Sequence, residues 1–236
     1  VALALAAVVL IGVAWFGLSE TLPPERRRPA RISASLSAYA GLLRDGRFLA
    51  LAVIGGTMMA TLFAYVAGAS FVLQDGFGLS ERTFAVVFGL NAAGFVIGSQ
   101  LNPVLLRRFS LERVLTGGII AALIGGLLLV VTASTGFGGL AGVLAPLALV
   151  MGSAGFSMPN TPALALEHHA GEAGTAAAVL GSFQFGIGGV IAPLVGAFGA
   201  GTAVPMGVVM VVMAGTAAVL MFTVVLRPAR VPVGMP

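Results

Sequence analysis

Residues 114–166 carry no charged side chain over 53 positions: VLTGGIIAALIGGLLLVVTASTGFGGLAGVLAPLALVMGSAGFSMPNTPALAL. A membrane-spanning helix needs about 20 apolar residues, so this run predicts two crossings. The cluster of small and polar residues at 134–139 predicts the turn between them. The run is continuous and lacks the period-two alternation of barrel strands, which argues against a membrane barrel. The sequence therefore predicts an all-α membrane protein.

Charge-free runs of the same kind extend on both sides of this stretch. Residues 173–226 form a second run of 54 positions with a predicted turn at 199–202, and three shorter runs hold one crossing each. The seven predicted transmembrane helices cover residues 1–18, 48–72, 82–105, 113–133, 139–158, 174–198 and 203–226. Of the 236 residues, 58% are hydrophobic and only 8% are charged, against about 25% charged in soluble domains. This composition excludes a soluble globular domain and a disordered chain.

All 12 basic residues are arginines, and they cluster between the apolar runs. With seven crossings, 11 of the 12 fall on one side, in residues 19–47, in the turn after the third helix and in the tail. Only Arg82 lies opposite. The positive-inside rule then places the arginine-rich loops and the C-terminus in the cytoplasm. Because the sequence has no basic face on a soluble module, the net charge of +4 predicts no nucleic-acid partner.

This map divides the chain into four segments. Residues 1–18 are predicted to be a helix that ends an N-terminal half, truncated because the chain starts inside an apolar run without a Met. Residues 19–47 form a basic cytoplasmic linker, residues 48–230 a C-terminal six-helix domain, and residues 231–236 a cytoplasmic tail. Six helices of this kind can divide into two inverted repeats of three.

The linker contains a predicted interfacial helix. Three prolines between residues 23 and 29 break any helix at its start. After them, apolar side chains recur on one helical face at Ile32, Leu36, Tyr39 and Leu43. This spacing favours a helix that lies on the cytoplasmic leaflet, and a flexible tether is the alternative.

Several strings resemble one family of transporters. Residues 19–23 (SETLP), directly after a hydrophobic helix, resemble the end of the sixth helix in drug-export proteins of the major facilitator superfamily. Three further strings are similar to the Bcr/CflA-type drug-resistance transporters of that superfamily. They are residues 94–103 (GFVIGSQLNP) with the arginines that follow, residues 155–166 (GFSMPNTPALAL) and residues 173–186 (AGTAAAVLGSFQFG). The resemblance covers nearly the whole chain, in order and with matching spacing.

The resemblance implies that the chain is the sixth helix plus the C-terminal six-helix half of a multidrug efflux protein in the bacterial inner membrane. It implies proton-coupled antiport of drugs or small organic molecules by alternating access, by a protein that is monomeric when full length. The family's proton-titrating carboxylate lies in N-terminal helices that this sequence does not contain. The alternatives are a carrier for one dedicated metabolite, such as a sugar or an amino acid derivative, and a non-transporting membrane scaffold.

Uncharged polar and aromatic side chains inside the spans are the candidate substrate ligands. No carboxylate, Lys or Arg lies well inside any predicted span, so this half does not itself supply a coupling-proton site. Asn91 and Gln184 are amides that either bind substrate or hold helices together. Met58, Tyr65 and Phe183 suit a promiscuous apolar pocket, with core or lipid packing as the alternative. These five residues form the predicted substrate-binding set.

Small and polar residues also predict contacts between helices. Glycine pairs at helical spacing predict close helix–helix packing, namely Gly94 with Gly98, Gly138 with Gly142, and Gly186 with Gly189. At the end of the third helix, Gln100 and Asn102 are predicted to anchor the loop or gate the pathway. The arginines at 107, 108 and 113 are predicted to pair with Glu112 or with lipid phosphate.

No catalytic residue, cofactor or metal site is predicted. Residues 167–172 (EHHAGE) contain two histidines, but adjacent histidines point to different faces of a helix and no third ligand has a characteristic spacing. We therefore interpret this segment as a solvated cytoplasmic loop. The sequence contains no Gly-x-Ser-x-Gly motif and no cysteine. The remaining expected partners are the lipid bilayer, a small organic substrate and protons.

Overall fold

The computed structural model describes residues 2–17, 32–198 and 201–227, and every regular element in those ranges is helical. The α-helices are α1 (Ala2–Gly17), α2 (Ile32–Arg44), α3 (Gly46–Ser70), α4 (Glu81–Leu106), α5 (Leu111–Thr135), α6 (Gly139–Leu166), α7 (Ala173–Phe198) and α8 (Val204–Leu220). Single π-helical turns continue α3 over Phe71–Gly76 and α8 over Met221–Val225, and a 3-10 turn covers Ala170–Glu172. Helices α3 to α8 are long and apolar enough to span a membrane, and α1 is a shorter apolar helix. The all-α prediction is confirmed.

The predicted spans agree with α3, α4, α5 and α7 to within a few residues, but the predicted end of α6 is wrong. This helix continues to Leu166 instead of stopping at residue 158, so the connection to α7 is much shorter than predicted. Pro159 and Pro162 each remove one backbone hydrogen bond, and a membrane helix tolerates this loss where neighbouring helices pack against it. Here Asn160, between the two prolines, is bonded to α4.

Glycines make the α5–α6 turn in the place that the sequence predicted. Helix α5 ends at Thr135, and Gly136 and Gly138 follow with φ of 70° and 74°. This left-handed conformation costs little only for glycine, because a side chain would clash with the backbone. The two helices leave the turn antiparallel and packed against each other along their lengths.

The six long helices form two layers. Helix α3 packs against α6, α7 and α8, while α6 packs against α4 and α5, and α5 packs against α8. These contacts place α7, α3, α6 and α4 side by side, with α8 and α5 behind α3 and α6. Helix α3 is the most enclosed of the six, and α4 and α7, at the two edges of the front layer, are the most exposed.

Charged residues collect at one end of this bundle. Helices α3, α5 and α7 begin there and α4, α6 and α8 end there; we call it the arginine-rich end. It holds Arg44, Arg47, Arg107, Arg108, Arg113 and Arg227, whereas Arg82 lies at the start of α4, at the opposite end. Within the described spans, every charged side chain lies in a first or last turn. The middle of the bundle is therefore free of charge in the part that the structure describes.

The linker contains a helix, α2, where the sequence predicted one. The sequence did not predict that Leu42 of this helix is buried in the core. The described part of the chain divides into two units between Leu36 and Ser37, within α2. In the second unit, Leu42 of α2 is 1% exposed and belongs to the core, whereas Tyr39 and Leu43 are exposed. The side chains of Ile32 and Leu36, and residues 18–31, lie outside the described residues. A position of α2 on the membrane surface stays a prediction.

Candidate functional site

The five predicted ligands lie at two levels along α3. Tyr65 and Asn91 lie together, in the half of the bundle away from the arginine-rich end. Met58 lies about 10 Å nearer the arginine-rich end, two helical turns before Tyr65. Met58 is only 2% exposed and belongs to the hydrophobic cluster nearer the arginine-rich end, against which Phe183 also packs. Gln184 lies at this second level, on α7. A role in substrate binding stays a prediction for all five.

A cavity of about 250 Å³ lies beside Tyr65, between α3, α4 and α6. Its lining is apolar and aromatic and consists of Leu62, Tyr65, Val66, Phe88, Ala92, Phe95, Val96 and Met151. The Tyr65 ring stacks on Phe88 with centroids 5.1 Å apart and planes 14° from parallel. Aromatic faces and a methionine thioether hold an apolar molecule by dispersion and adapt to different shapes. We call this space the Tyr65 cavity.

The Tyr65 hydroxyl is a buried polar group that is poorly satisfied. Tyr65 is 1% exposed, and its hydroxyl forms no hydrogen bond of ordinary geometry with the residues that the structure describes, although the Asn91 side chain lies near enough for a weaker interaction. Asn91, which is 5% exposed, faces this hydroxyl from α4 and also lines a neighbouring cavity of about 290 Å³ between α4 and α6. A buried hydroxyl without a partner costs about 1–3 kcal/mol. A ligand that accepted its hydrogen bond would recover part of that cost.

Gln184 supplies a second, more open polar group. A methyl group built on Gly55 of α3 would lie 3.2 Å from Gln184 Nε2 and 3.3 Å from Cγ2 of Thr161 on α6. The amide therefore packs over a glycine where three helices meet. Its residue is partly exposed, and its side chain forms no hydrogen bond within the described ranges. A role of this amide in substrate binding stays a prediction, because α3 and α7 pack closely beside it.

Close backbone packing joins α4 to α6. A side chain on Gly98 would collide with the carbonyl oxygen of Gly152, and one on Gly155 would lie 2.5 Å from the carbonyl oxygen of Phe95. The close packing predicted for Gly94 and Gly98 is confirmed. The same prediction is wrong for Gly186 and Gly189, which have no atom within 4 Å of a built Cβ. On that helix Gly188 makes the close contact, because it points to the opposite face and meets the ring of Phe63.

A pair of buried amides reinforces this crossing. Asn102 Nδ2 donates to Asn160 Oδ1 at 3.2 Å, and Asn160 Nδ2 donates to Asn102 Oδ1 at 2.7 Å. Anchoring a loop was one of the two roles predicted for Asn102. The structure shows instead that Asn102 anchors α4 to helix α6. Gln100, its predicted companion, is exposed. Sequence reasoning gave Asn160 no role, although an asparagine between two prolines of an apolar helix is an unusual polar insertion.

Ion pairs join helix ends at the arginine-rich end. Arg47 Nη2 lies 2.7 Å from Glu112 Oε1, so this contact ties the start of α3 to the start of α5. The predicted pairing of Glu112 with the arginines at 107, 108 and 113 is therefore wrong. The bundle instead brings this carboxylate to a residue 65 positions earlier in the chain, at the start of another helix.

Asp45 links the same end of α3 to the α6–α7 turn. Its Oδ1 accepts hydrogen bonds from the backbone N–H groups of Arg47 and Phe48, and its Oδ2 lies 3.1 Å from His169 Nε2. Burial raises the pKa of Asp45, but the two backbone donors and His169 outweigh it and hold the pKa below its ordinary value. The His169 ring also meets Phe48 edge to face at 5.1 Å. His169 is docked on α3, and only His168 fits the predicted solvated loop.

Comparison with known proteins gives consistent matches. Residues 1–193 match the family model of the Major Facilitator Superfamily. The chain is 35% identical over 200 residues to an uncharacterized MFS-type transporter, YdgK, of Bacillus subtilis, over 84% of this chain and 48% of the relative. It is 26% identical over 210 residues to a bicyclomycin resistance protein homolog of Haemophilus influenzae, over 86% of this chain and 51% of the relative. The chain therefore spans about half the length of the curated relatives it matches.

Proposed function

Because the chain belongs to the major facilitator superfamily, whose members are transporters and not enzymes, we propose that it takes part in the export of drugs or other small organic molecules in exchange for protons. It is a multi-pass membrane protein, and its surroundings are a lipid bilayer. The observation that carries the proposal is the Tyr65 cavity, which has an aromatic and thioether lining beside the buried hydroxyl of Tyr65. Such a site binds molecules of varied shape and little charge.

The lining of the cavity favours a drug-like substrate over a dedicated metabolite. A sugar offers many hydroxyl groups, each of which needs a hydrogen-bond partner once it leaves water. An amino acid derivative carries charge and needs a buried countercharge. The side chains that line the Tyr65 cavity carry no charge, and their one polar group, the Tyr65 hydroxyl, is itself buried. The similarity to a bicyclomycin resistance protein homolog supports the same choice.

Gln184, Phe183 and Met58 form the second part of the proposed pathway. Gln184 and Phe183 are partly exposed on α7, beside the glycine-lined contact of α3 with α7. We propose that the Gln184 amide hydrogen-bonds the substrate during part of the transport cycle. Met58, which is enclosed in this structure, adapts to the substrate when α3 and α7 separate. The single amide orients the substrate, while the apolar surfaces supply most of the binding energy.

Proton coupling requires a titratable group that the described spans do not supply. Their charged side chains all lie at helix ends, and an ionisable group inside the membrane is the usual proton carrier. We propose that the coupling carboxylate lies in the half of the transporter that corresponds to the part of the relatives outside this match. We further propose a monomer in the bacterial inner membrane with the arginine-rich end in the cytoplasm.

Efflux from cells tests this function. The intact gene is expressed in bacteria that lack their own efflux pumps, and accumulation of chemically unrelated antibiotics and dyes, bicyclomycin among them, is measured with and without a protonophore. The proposal expects lower accumulation of several compounds, restored by the protonophore. Efflux that ignores the proton gradient would contradict the coupling. Transport of a single compound would select the dedicated metabolite carrier.

A further inference from the structure

A second cavity lies apart from the Tyr65 cavity, at the arginine-rich end between α4, α5 and α6. Its volume is about 420 Å³, and its lining residues are Leu105, Phe109, Arg113, Val114, Gly117, Gly118, Ala121 and Phe156. We call it the α5 groove. It shares no lining residue with the Tyr65 cavity. None of the five residues of the proposed substrate-binding set lines it.

The shape of the α5 groove suits a hydrocarbon chain. Seven of its eight lining residues are apolar or glycine. From Arg113 in the first turn of α5 to Ala121, it follows the helix for about 12 Å. Phe109 is 48% exposed, and a Cβ built on Gly117 meets no atom within 4 Å, so the groove opens on the outer surface of the bundle. In a bilayer, that surface faces lipid.

The mouth of the groove carries positive charge that the described residues leave uncompensated. Arg113 lines the groove, and Arg107 and Arg108, in the turn that precedes α5, are exposed as Arg113 is. Glu112 is the acidic residue beside them in sequence, and it is held by Arg47 at 2.7 Å. No carboxylate within residues 32–198 or 201–227 forms an ion pair with any of the three arginines. The sequence left a choice between Glu112 and lipid phosphate, and the Arg47–Glu112 pair removes the first option.

We propose that the α5 groove binds one anionic phospholipid. An acyl chain lies along Gly117, Gly118 and Ala121, and the phosphate group lies at the mouth with Arg113 and its neighbours. Guanidinium groups bind phosphate oxygens through paired N–H donors, and basic residues at a membrane surface attract anionic lipids. Charge and apolar length occur together in a phospholipid, whereas a free anion would leave the groove unused. This site does not depend on which molecule the protein transports.

A tryptophan reporter placed in the groove tests the proposal. The chain has a single tryptophan, Trp15, so the double variant W15F/F109W carries its only indole at the groove. The full chain is reconstituted in vesicles in which part of the lipid is brominated phosphatidylglycerol or brominated phosphatidylcholine. We expect the anionic lipid to quench the indole with an apparent affinity about fivefold higher or more. Equal quenching by the two lipids would overturn the proposal.

Variants separate the contributions of charge and shape. In the reporter background, R107Q/R108Q/R113Q should reduce the preference for phosphatidylglycerol to about onefold, while the matched control R82Q, at the opposite end, should keep it. Gly117→Leu should fill the groove and reduce quenching by both lipids. Gly89→Leu, at another exposed helical glycine with no atom near its Cβ, should change neither. A preference that survives removal of the three arginines would overturn the proposal.

Two further measurements on the unsubstituted reporter decide the matter even if a variant fails to fold. Raising the salt concentration to about 1 M, where the Debye length is about 3 Å, should abolish the lipid preference. Inorganic phosphate should not displace the brominated lipid, because it lacks an acyl chain. Displacement by inorganic phosphate would show that the site binds free anions. A lipid preference that does not change with salt would show that charge does not set the preference. Either result would overturn the proposal.

Discussion

The two ends of α3 are held by opposite means. At its start, Asp45 and Arg47 are partly exposed and bond to His169 and Glu112 on other elements, although Arg47 Nε is buried without a hydrogen-bond partner among the described residues. Near its other end, Tyr65 is almost completely enclosed, yet its hydroxyl is unpaired and a cavity lies beside its ring. A paired polar group fixes neighbouring helices, whereas a buried unpaired one costs free energy that a ligand can recover. The difference that remains is that ion pairs join helix ends at the start of α3, whereas an apolar cavity lies beside Tyr65, where we propose that a ligand binds.

The largest effect on stability is expected at the glycine crossing between these two regions. Gly98→Ala should lower the free energy of unfolding by about 3 kcal/mol, because the new Cβ meets the backbone of α6, which moves only with the whole helix. Gly152→Ala, on the facing helix, should be neutral, since its Cβ would lie 3.8 Å from the nearest atom. Thermal unfolding in detergent measures both. Equal stability of the two variants would contradict the packing described for α4 and α6.

The amide pair should give the next largest effect. Asn160→Leu leaves the Asn102 amide buried and unpaired, and should cost about 2 kcal/mol. The double variant N102L/N160L should cost less than the sum of the two single changes, because it leaves no orphan amide. A double-mutant cycle of unfolding free energies measures this coupling. Strict additivity would show that the two amides do not act as a pair.

At the start of α3, Asp45→Ala should cost about 1 kcal/mol near neutral pH through loss of the helix cap. The folded-state pKa of Asp45 lies below its ordinary value. Its carboxylate therefore stabilises the fold above the unfolded-state pKa of about 3.9, and this contribution is lost as the pH falls through the folded-state pKa. The difference from the parent chain should shrink as the pH falls below about 4. The exposed Asp75, changed to Ala, is the control, and a pH-independent difference for Asp45→Ala would refute the assignment.

The smallest effect is expected for the Arg47–Glu112 pair. Both side chains are 38% exposed, so solvent screens their attraction. Arg47→Gln should cost about 0.5 kcal/mol at low salt and less at high salt. Unfolding in detergent at two ionic strengths measures it, with Arg82→Gln as the matched change at the opposite end. A cost of several kcal/mol for Arg47→Gln would show that Arg47 stabilises the arginine-rich end through contacts other than its ion pair with Glu112.

Local patterns predicted the helices, and packing decided their partners. The charge-free runs and the glycines at 134–139 specified α5, its turn and the start of α6, because each signal lies within one or two helices. The pairing of Asn102 with Asn160, 58 residues apart, depends on how α4 crosses α6. The pairing of Arg47 with Glu112, 65 residues apart, likewise depends on where the bundle places the starts of α3 and α5. Helical spacing alone does not contain this information.

The same limit applies to the candidate site. The residue types of Tyr65 and Gln184 marked them as unusual in an apolar helix, and the structure places Tyr65 beside a cavity and Gln184 over Gly55 of α3. Phe88, Phe95 and Met151 complete the Tyr65 cavity but could not be selected from sequence. Each is one of many apolar residues, and only the contact of three helices brings them together. Gly186 and Gly189 have the spacing of a helix-packing pair, but among the described residues no other helix contacts the face on which they lie.

The central claim is that a ligand binds where the Tyr65 hydroxyl is unpaired, and Tyr65→Phe tests it most directly by removing that oxygen alone. The affinity for an exported compound and the free energy of unfolding are measured on the same variant, with Tyr39→Phe on α2 as the control. We predict that stability stays equal or rises by about 1 kcal/mol, while affinity falls about tenfold. A destabilised protein with unchanged affinity would contradict the account, because the hydroxyl would then serve the fold and not the ligand.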